Sequence, residues 1–400
     1  MDSKKIGMIL DSTFPPDPRV ENEADSLIQQ GHQVFLFCLH DGSKNHSENF
    51  QGIQVKRYQS NPWEYKMSAL AYTFPFYRWS MAKKIEDFIL QNKIGVLHIH
   101  DIQVAESVFE VNKKFRLPVF LDLHENRPEI MKFYNHLQKF PGKWLINPGR
   151  WKKHEESFCK KANKVVVVTQ EAKQELVNRI GLDENKMIVV PNTVRQSFYK
   201  STAINQEIIE KFQNNFVLLY IGDTAIRRGL LLAIEALTEL KQQIPSIKLV
   251  IVGSSKTDEV LKQKAKECKV EQFVAFEGWQ NASLFPSYIQ ASDVCISPLH
   301  RNIHHDTTYA NKVFQYMSMG KPLLVSNATA QKNVIEQVGC GLVHLDRDVA
   351  SFTRQANTFY DDVALRKDMG KKGEIYIKQK FHWEMTSKDL TKAYNQIIKA

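Results

Sequence analysis

The stretch His304–Pro322, HHDTTYANKVFQYMSMGKP, concentrates side chains of the types that hold a polyphosphate. Read as a helix starting near Thr308, it puts Tyr309, Val313, Tyr316 and Met317 on one apolar stripe. Thr308, Asn311, Lys312 and Gln315 fall on another, three and four residues apart. That second stripe offers a hydroxyl, an amide, an ammonium and a second amide in a row. Free N–H groups at the helix start, with the hydroxyls of Thr307 and Thr308, suit phosphate oxygens. Lys312 adds positive charge, and Gln315, one turn deeper, suits ribose hydroxyls. Gly320 and Pro322 end the helix. A solvated polar face on a surface helix is the competing account of the same pattern.

Two further segments carry chemistry. GDTAIRRGL, Gly222–Leu230, follows an apolar run and precedes a helical one. It lacks the G-x-G-x-x-G spacing of a dinucleotide site. Instead it sets Arg227 and Arg228 at a helix start, where two guanidiniums can clamp a diphosphate and stabilise it as it leaves. A surface basic pair is the plainer alternative in a chain with 54 Lys and Arg. VFLDLHENRPE, Val119–Glu129, ends a strand and delivers Asp122, His124 and Glu125 to its carboxyl edge, where open α/β sheets bind ligands. His124 is expected to orient an acceptor or touch a sugar. VLHIHD brings His98, His100 and Asp101 to a neighbouring edge. No paired spacing supports a metal there, so none is expected, and satisfied structural histidines are the commoner outcome.

The elements that position these residues alternate. Apolar runs at residues 6–10, 33–39, 96–99, 119–123 and 165–169 are separated by helical segments such as Arg19–Gln30, capped at Gly31. The pattern restarts at Phe216–Ile221, with a helix at Leu230–Lys241 and a strand at Lys248–Val252 that ends at Gly253. Further runs lie at 273–276, 294–297, 322–326 and 341–345. Strand–helix alternation implies parallel sheets covered on both faces. The expected architecture is two Rossmann-like, doubly wound α/β domains facing a cleft. The domains are placed at residues 1–195 and 196–380, with the turn of VVPNTVRQSFYK as linker. Residues 381–400 form an amphipathic helix expected to pack back on the first domain.

Length and composition agree with this plan. At 400 residues the chain is too long for one core. A net charge of +10 favours anionic partners such as diphosphates or acidic lipid. No zinc finger, RNA-recognition signature or helix-turn-helix supports nucleic acid. Five cysteines without a C-x-x-C pair read as buried, reduced thiols. No leader peptide and no run of roughly 20 apolar residues is seen, so a cytoplasmic protein is expected. Two basic, aromatic stretches, Trp63–Lys84 and Lys139–Lys153, have two accounts. They form an interfacial surface for peripheral contact with the inner face of a membrane, or an aromatic core face with a basic rim.

Taken in order, FPPDPRVENEADSLIQQGHQV, VLHIHD, LDLHE, VVPNTV, YIGDTAIRRG, LVIVGSS, FEGW, ASDVCISP and NKVFQYMSMGKPLLVS resemble the retaining family-4 glycosyltransferases of the GT-B fold. The resemblance implies that the second domain binds a UDP- or GDP-sugar and the first a glycan or lipid-linked acceptor. It implies transfer with retention, no metal and no cofactor beyond the co-substrate, in cell-surface polysaccharide or glycolipid synthesis. It matches His124 to the family's histidine near the sugar and Arg228 to its basic residue before the loop glycine. Gly222, Gly253, Gly278 and Trp279 join the donor site. Three departures stand out. Thr307 and Gln315 replace two glutamates, Asp223 replaces an arginine after the loop glycine, and PPDPRV replaces a glycine-rich loop. Arg227 is expected to substitute for the missing arginine. Asp17 or Arg19, with Asp101 and Glu125, is expected to serve the acceptor. A nucleotide-sugar epimerase and a non-catalytic nucleotide- or lipid-binding partner of a transferase remain the alternatives. Turnover of a nucleotide sugar alone marks the first, and tight donor binding without turnover the second.

Overall fold

In the computed structural model the described residues are 4–40, 42, 44–134, 137, 139–200 and 203–399. The chain divides into two compact units, one of residues 1–191 and 387–400 and one of residues 192–386. The boundary therefore falls four residues before the expected one. The return crossing lies between Thr386 and Ser387, not at 380/381. The reason is local: Trp383 N–H donates to Val194 O and Thr193 pairs with Thr386, so the segment before the last helix is tied to the second unit.

Among the described residues the first unit has eight strands: β1 (Lys5–Ile9), β2 (Gln33–His40), β3 (Ser47–Phe50), β4 (Ile53–Gln59), β5 (Val96–His100), β6 (Val119–Leu123), β7 (Lys164–Val167) and β8 (Met187–Val189). Their order is β3-β4-β2-β1-β5-β6-β7-β8. All pairs are parallel except β3 with β4. That hairpin went unread in the sequence. Its signal is Gln51-Gly52, both at positive φ, the conformation a tight two-residue turn demands. The chain winds outward from β1 to β4 and returns at β5, so the switch point lies between β1 and β5.

The final helix, Lys388–Lys399, belongs to this unit. Tyr394 stacks flat on Phe120, ring centroids 3.9 Å apart, and its hydroxyl meets His98 Nδ1 at 2.7 Å.

The second unit has β9 (Phe216–Ile221), β10 (Ile247–Val252), β11 (Val274–Gly278), β12 (Val294–Ser297), β13 (Leu323–Ser326) and β14 (Gly341–His344). All are parallel, in the order β11-β10-β9-β12-β13-β14. This is the doubly wound arrangement with its switch point between β9 and β12. β9 shows why its sequence, FVLLYI, is apolar throughout. Val217, Leu219 and Ile221 enter one core cluster while Phe216, Leu218 and Tyr220 enter the cluster on the opposite face. Of the cysteines, all five are free and four are buried.

The two aromatic stretches are each mixed in burial. Tyr72, Tyr77 and Trp151 are core residues, whereas Tyr65, Phe140 and Trp144 are 77%, 79% and 81% exposed. Among the described residues no helix is long and apolar enough to cross a membrane.

Candidate functional site

In the second unit the carboxyl edge of the sheet is a set of glycine loops. Gly222 leaves β9 at φ 124°, and its N–H donates to Val252 O at 2.8 Å. Gly253 has φ 137°, and a Cβ there would lie 2.0 Å from Gly222 O, so only glycine lets the two loops meet. Gly253 N–H in turn donates to Gly278 O at 2.7 Å. Beside Gly278, Trp279 is 74% exposed.

Lys312, Arg227 and Arg228 gather at the Gly222–Asp223 turn. A Cβ on Gly222 would touch Lys312 Nζ at 3.2 Å. That ammonium lies 3.3 Å from the centre of the Tyr220 ring, buried and without a hydrogen-bond partner. Burial, then repulsion from Arg228, holds its pKa well below the ordinary lysine range. Arg227 Nη2 and Arg228 Nε both reach Asp223 Oδ2 at 3.2 Å. Arg227 Nη1 also lies 3.4 Å from His305 Nε2, and burial pushes that imidazole down to about 4. Tyr316 Oη accepts the Ile221 N–H at 2.8 Å and fixes the strand end against the helix carrying Lys312. Asp223 as a shared carboxylate and Tyr316 as a brace were not read as site residues.

The helix itself differs from expectation. It runs Lys312–Ser318, with Asn311 exposed at its cap. Thr308 is extended (φ −135°, ψ 148°), and Thr307 ends a separate short helix, Ile303–Thr307. The Thr307 hydroxyl donates to Ile303 O and the Thr308 hydroxyl to His304 O, each at 2.7 Å. Threonine side chains compete with the backbone in this way and favour helix ends. The expected four-residue polar stripe is therefore broken. Thr307 and Thr308 are buried with their protons committed, and only Lys312 and Gln315 share the helix. Gln315 is partly buried, and its amide makes no hydrogen bond among the described residues.

In the first unit the equivalent edge gathers around β5 and β6. Asp122 is fully buried and receives a two-pronged contact from Arg19, Nε–Oδ2 2.7 Å and Nη2–Oδ1 2.6 Å. Arg19 also donates to Val190 O at 3.0 Å and pairs with Glu23 at 3.0 Å. It is a buried tie across the unit, not the exposed acceptor contact expected of it. Asp17 caps the helix Pro18–Gln29, its Oδ1 accepting N–H groups of Arg19 and Val20 at 3.1 Å, so that oxygen is already engaged.

His124 Nε2 lies 3.0 Å from both Asp122 Oδ2 and His100 Nδ1. Burial alone would depress its pKa. The carboxylates of Asp101 and Asp122 outweigh burial and hold the imidazole up at about 9. At neutral pH it is a cation that donates hydrogen bonds, not a base. Asp101, at φ 62°, accepts the His124 N–H at 3.2 Å. Glu125 pairs with Arg127 at 3.1 Å, and burial raises its carboxyl pKa. Asp11, beyond β1, was missed. Burial lifts it to about 6 beside the Tyr77 hydroxyl at 3.0 Å.

Ligand atoms of Glu23, His98, His100 and Asp122 lie within 4.8 Å of one another, a grouping that could hold a metal. Arg19 already sits against both carboxylates, so a cation is in place there.

The first half, residues 19–198, matches the family model "Glycosyltransferase Family 4", and residues 201–375 match "Glycosyl transferases group 1". By fold the chain is of the GT-B type, and each of its halves matches a glycosyltransferase family model. It is similar to the capsular polysaccharide biosynthesis glycosyltransferase CapM of Staphylococcus aureus, 20% identical over 60% of this chain and 63% of that one. It is also similar to the alpha-monoglucosyldiacylglycerol synthase of Streptococcus pneumoniae, 21% identical over 73% of this chain and 65% of that one. The chain thus spans under two thirds of the length of these curated relatives. Among solved structures, Anabaena HepE in complex with UDP superposes with a TM-score of 0.74 at 14% identity, covering 98% of this chain and 100% of that one.

Proposed function

We propose that the chain transfers a hexosyl or N-acetylhexosaminyl group from a UDP- or GDP-sugar to a glycan or lipid-linked acceptor. Transfer proceeds with retention of configuration and without a metal, in the synthesis of a cell-surface polysaccharide or glycolipid at the inner face of a membrane. The observation that carries this reading is the grouping of Arg227, Arg228 and Lys312 about the Gly222 loop. A buried ammonium with no hydrogen-bond partner, beside two guanidiniums that share one carboxylate, concentrates basic groups where an anion fits. The similarity to a structure solved with UDP and to polysaccharide and glycolipid transferases supports the same reading.

In this scheme the three cations hold the diphosphate. They stabilise it as its bond to the anomeric carbon breaks, supplying charge that a metal supplies elsewhere. Gln315 meets the ribose, Gly253 and Gly278 let the loops close on the nucleotide, and Trp279 flanks it. Thr307, Thr308 and Asn311 shape the wall behind the phosphates. In the first unit His124 donates a hydrogen bond to a substrate oxygen, and Asp101 and Glu125 accept from acceptor hydroxyls. Calorimetry with UDP-, GDP- and ADP-sugars tests the reading. One of them binds and is slowly hydrolysed without acceptor; absence of binding by all three would end it.

A further inference from the structure

The first unit contains a cavity of about 760 Å³ that the scheme above does not use. Its size lies within the range of roughly 300–1,000 Å³ typical of small-molecule sites. Ala69, Leu70, Met131, Leu137, Leu145 and Ile146 line much of it. The apolar lining is interrupted in three places. Arg127 and Gln103, both in the lining, are hydrogen-bonded at 2.9 Å, and Arg127 continues directly to Glu125. Lys66 and Lys139 also line the cavity, both exposed, and neither is ion-paired among the described residues. Trp151 lines it from the core, and its indole N–H is buried with no hydrogen-bond partner. Tyr65 and Phe140 belong to the lining and are also among the most exposed aromatics of the unit.

We propose that this cavity takes the hydrocarbon tail of a phosphate-bearing lipid, and that this lipid is the acceptor. Apolar walls with a cationic margin and an exposed aromatic fringe match an amphiphile with an anionic head. The opposite polarity, an acidic margin, would have favoured a basic peptide. Arg127 in the lining is paired with Glu125 at 3.1 Å, so a tail seated in the cavity brings its head toward a residue assigned to acceptor hydroxyls. The inference rests on the transferase reading and narrows its acceptor to a lipid.

The test uses the full chain and dodecyl phosphate as probe, with inorganic phosphate and dodecanol as controls. Calorimetry is expected to show saturable one-to-one binding that inorganic phosphate does not displace and that dodecanol matches only weakly. Ala69→Phe and Leu145→Trp, which fill the space, weaken it about tenfold, the loss expected when about two methylenes are no longer buried. Lys66→Gln with Lys139→Gln weakens the phosphate probe severalfold and leaves dodecanol unchanged. In nitrogen-labelled unsubstituted protein, the indole N–H signal absent from Trp151→Phe shifts on titration, which reads the cavity even if a filling variant misfolds.

Absence of binding, or binding that the folded filling variants keep at full strength, overturns the proposal. So does a cavity that closes by self-association which dodecyl phosphate fails to reverse. UDP affinity reports the second unit separately. Turnover onto a soluble glycan without dodecyl phosphate binding removes this inference alone. Probe binding without any nucleotide-sugar turnover removes the transferase reading instead.

Discussion

Asp223 is the residue whose removal interrogates the donor site most directly. Its Oδ2 is shared by Arg227 and Arg228 at 3.2 Å each, and its Oδ1 accepts the Ala225 N–H at 3.1 Å. Asp223→Asn keeps the oxygen for that backbone bond, puts an amide NH2 where both guanidiniums now bond, and deletes a negative charge. If the two arginines meet a diphosphate, Asp223 is a like charge close to it, and its loss tightens binding.

The size follows from Coulomb's law. A unit charge pair at about 4 Å is worth about 1 kcal/mol in water and about 4 kcal/mol at an effective dielectric near 20. The Asp223 side chain is 38% exposed, so the lower part of that range applies. A gain of about 1–2 kcal/mol is expected, or roughly 5- to 30-fold tighter UDP binding. Calorimetric Kd values for UDP at low and at high salt measure it, and the gain shrinks as salt screens it. Unchanged or weaker binding at low salt would refute the assignment of these guanidiniums to the diphosphate.

Arg228→Gln removes a charge-assisted contact and is expected to weaken UDP by about 1.5–3 kcal/mol, read by the same titration. Gly253→Ala places a methyl 2.0 Å from the Gly222 carbonyl. Nucleotide binding should fail in that variant while dodecyl phosphate binding to the other unit persists. Arg19→Met strands the buried carboxylates of Asp122 and Glu23 and should cost about 3–5 kcal/mol in urea unfolding. Asp17→Ala, which loses only a cap, should cost about 0.5–2 kcal/mol. His124 carries a folded pKa of about 9 against 6.5 for the free side chain, a raised value. Its stabilising effect is therefore complete below about pH 6.5 and lost as pH climbs through about 9, roughly 3 kcal/mol in all. His124→Gln should flatten that stretch of the stability–pH curve.

The legible parts of the fold were those whose cause is local. FVLLYI is apolar at every position because both faces of β9 are covered, and a run of that kind announces a central parallel strand without its neighbours. The glycines after β9 and β10 and the Arg227–Arg228 turn were legible for the same reason. The errors share a cause too. Thr308 fits a helical stripe by spacing and Thr307 the helix start before it, yet their hydroxyls bond back to carbonyls three and four residues earlier, a competition that spacing does not register. Arg19 was expected at the acceptor because its partner Asp122 stands 103 residues away. Asp11 carried no motif and gained its elevated pKa only from the burial that β1 and Tyr77 impose.

The charges at the two sheet edges explain why the roles are assigned as they are. Around Gly222, Arg227 and Arg228 face one carboxylate, Asp223, so the loop carries surplus positive charge, and burial and Arg228 hold the Lys312 pKa down. An incoming diphosphate relieves both. At the β5–β6 edge, Asp11, Asp101 and Glu125 outnumber the His124 and Arg127 cations, and Asp101 helps to keep His124 protonated. A diphosphate placed there would meet that excess of acid, whereas a hydroxyl would find acceptors in Asp101 and Glu125 and a donor in His124. The same charge balance confines the phosphate of a lipid acceptor to the basic lining residues Lys66, Lys139 and Arg127 and leaves the acidic edge to its hydroxyls. Reversing one edge, by Asp101→Asn, should lower the His124 pKa and leave UDP affinity at the Gly222 loop unchanged. A shift in UDP affinity instead would mean that the two edges are not electrostatically separate.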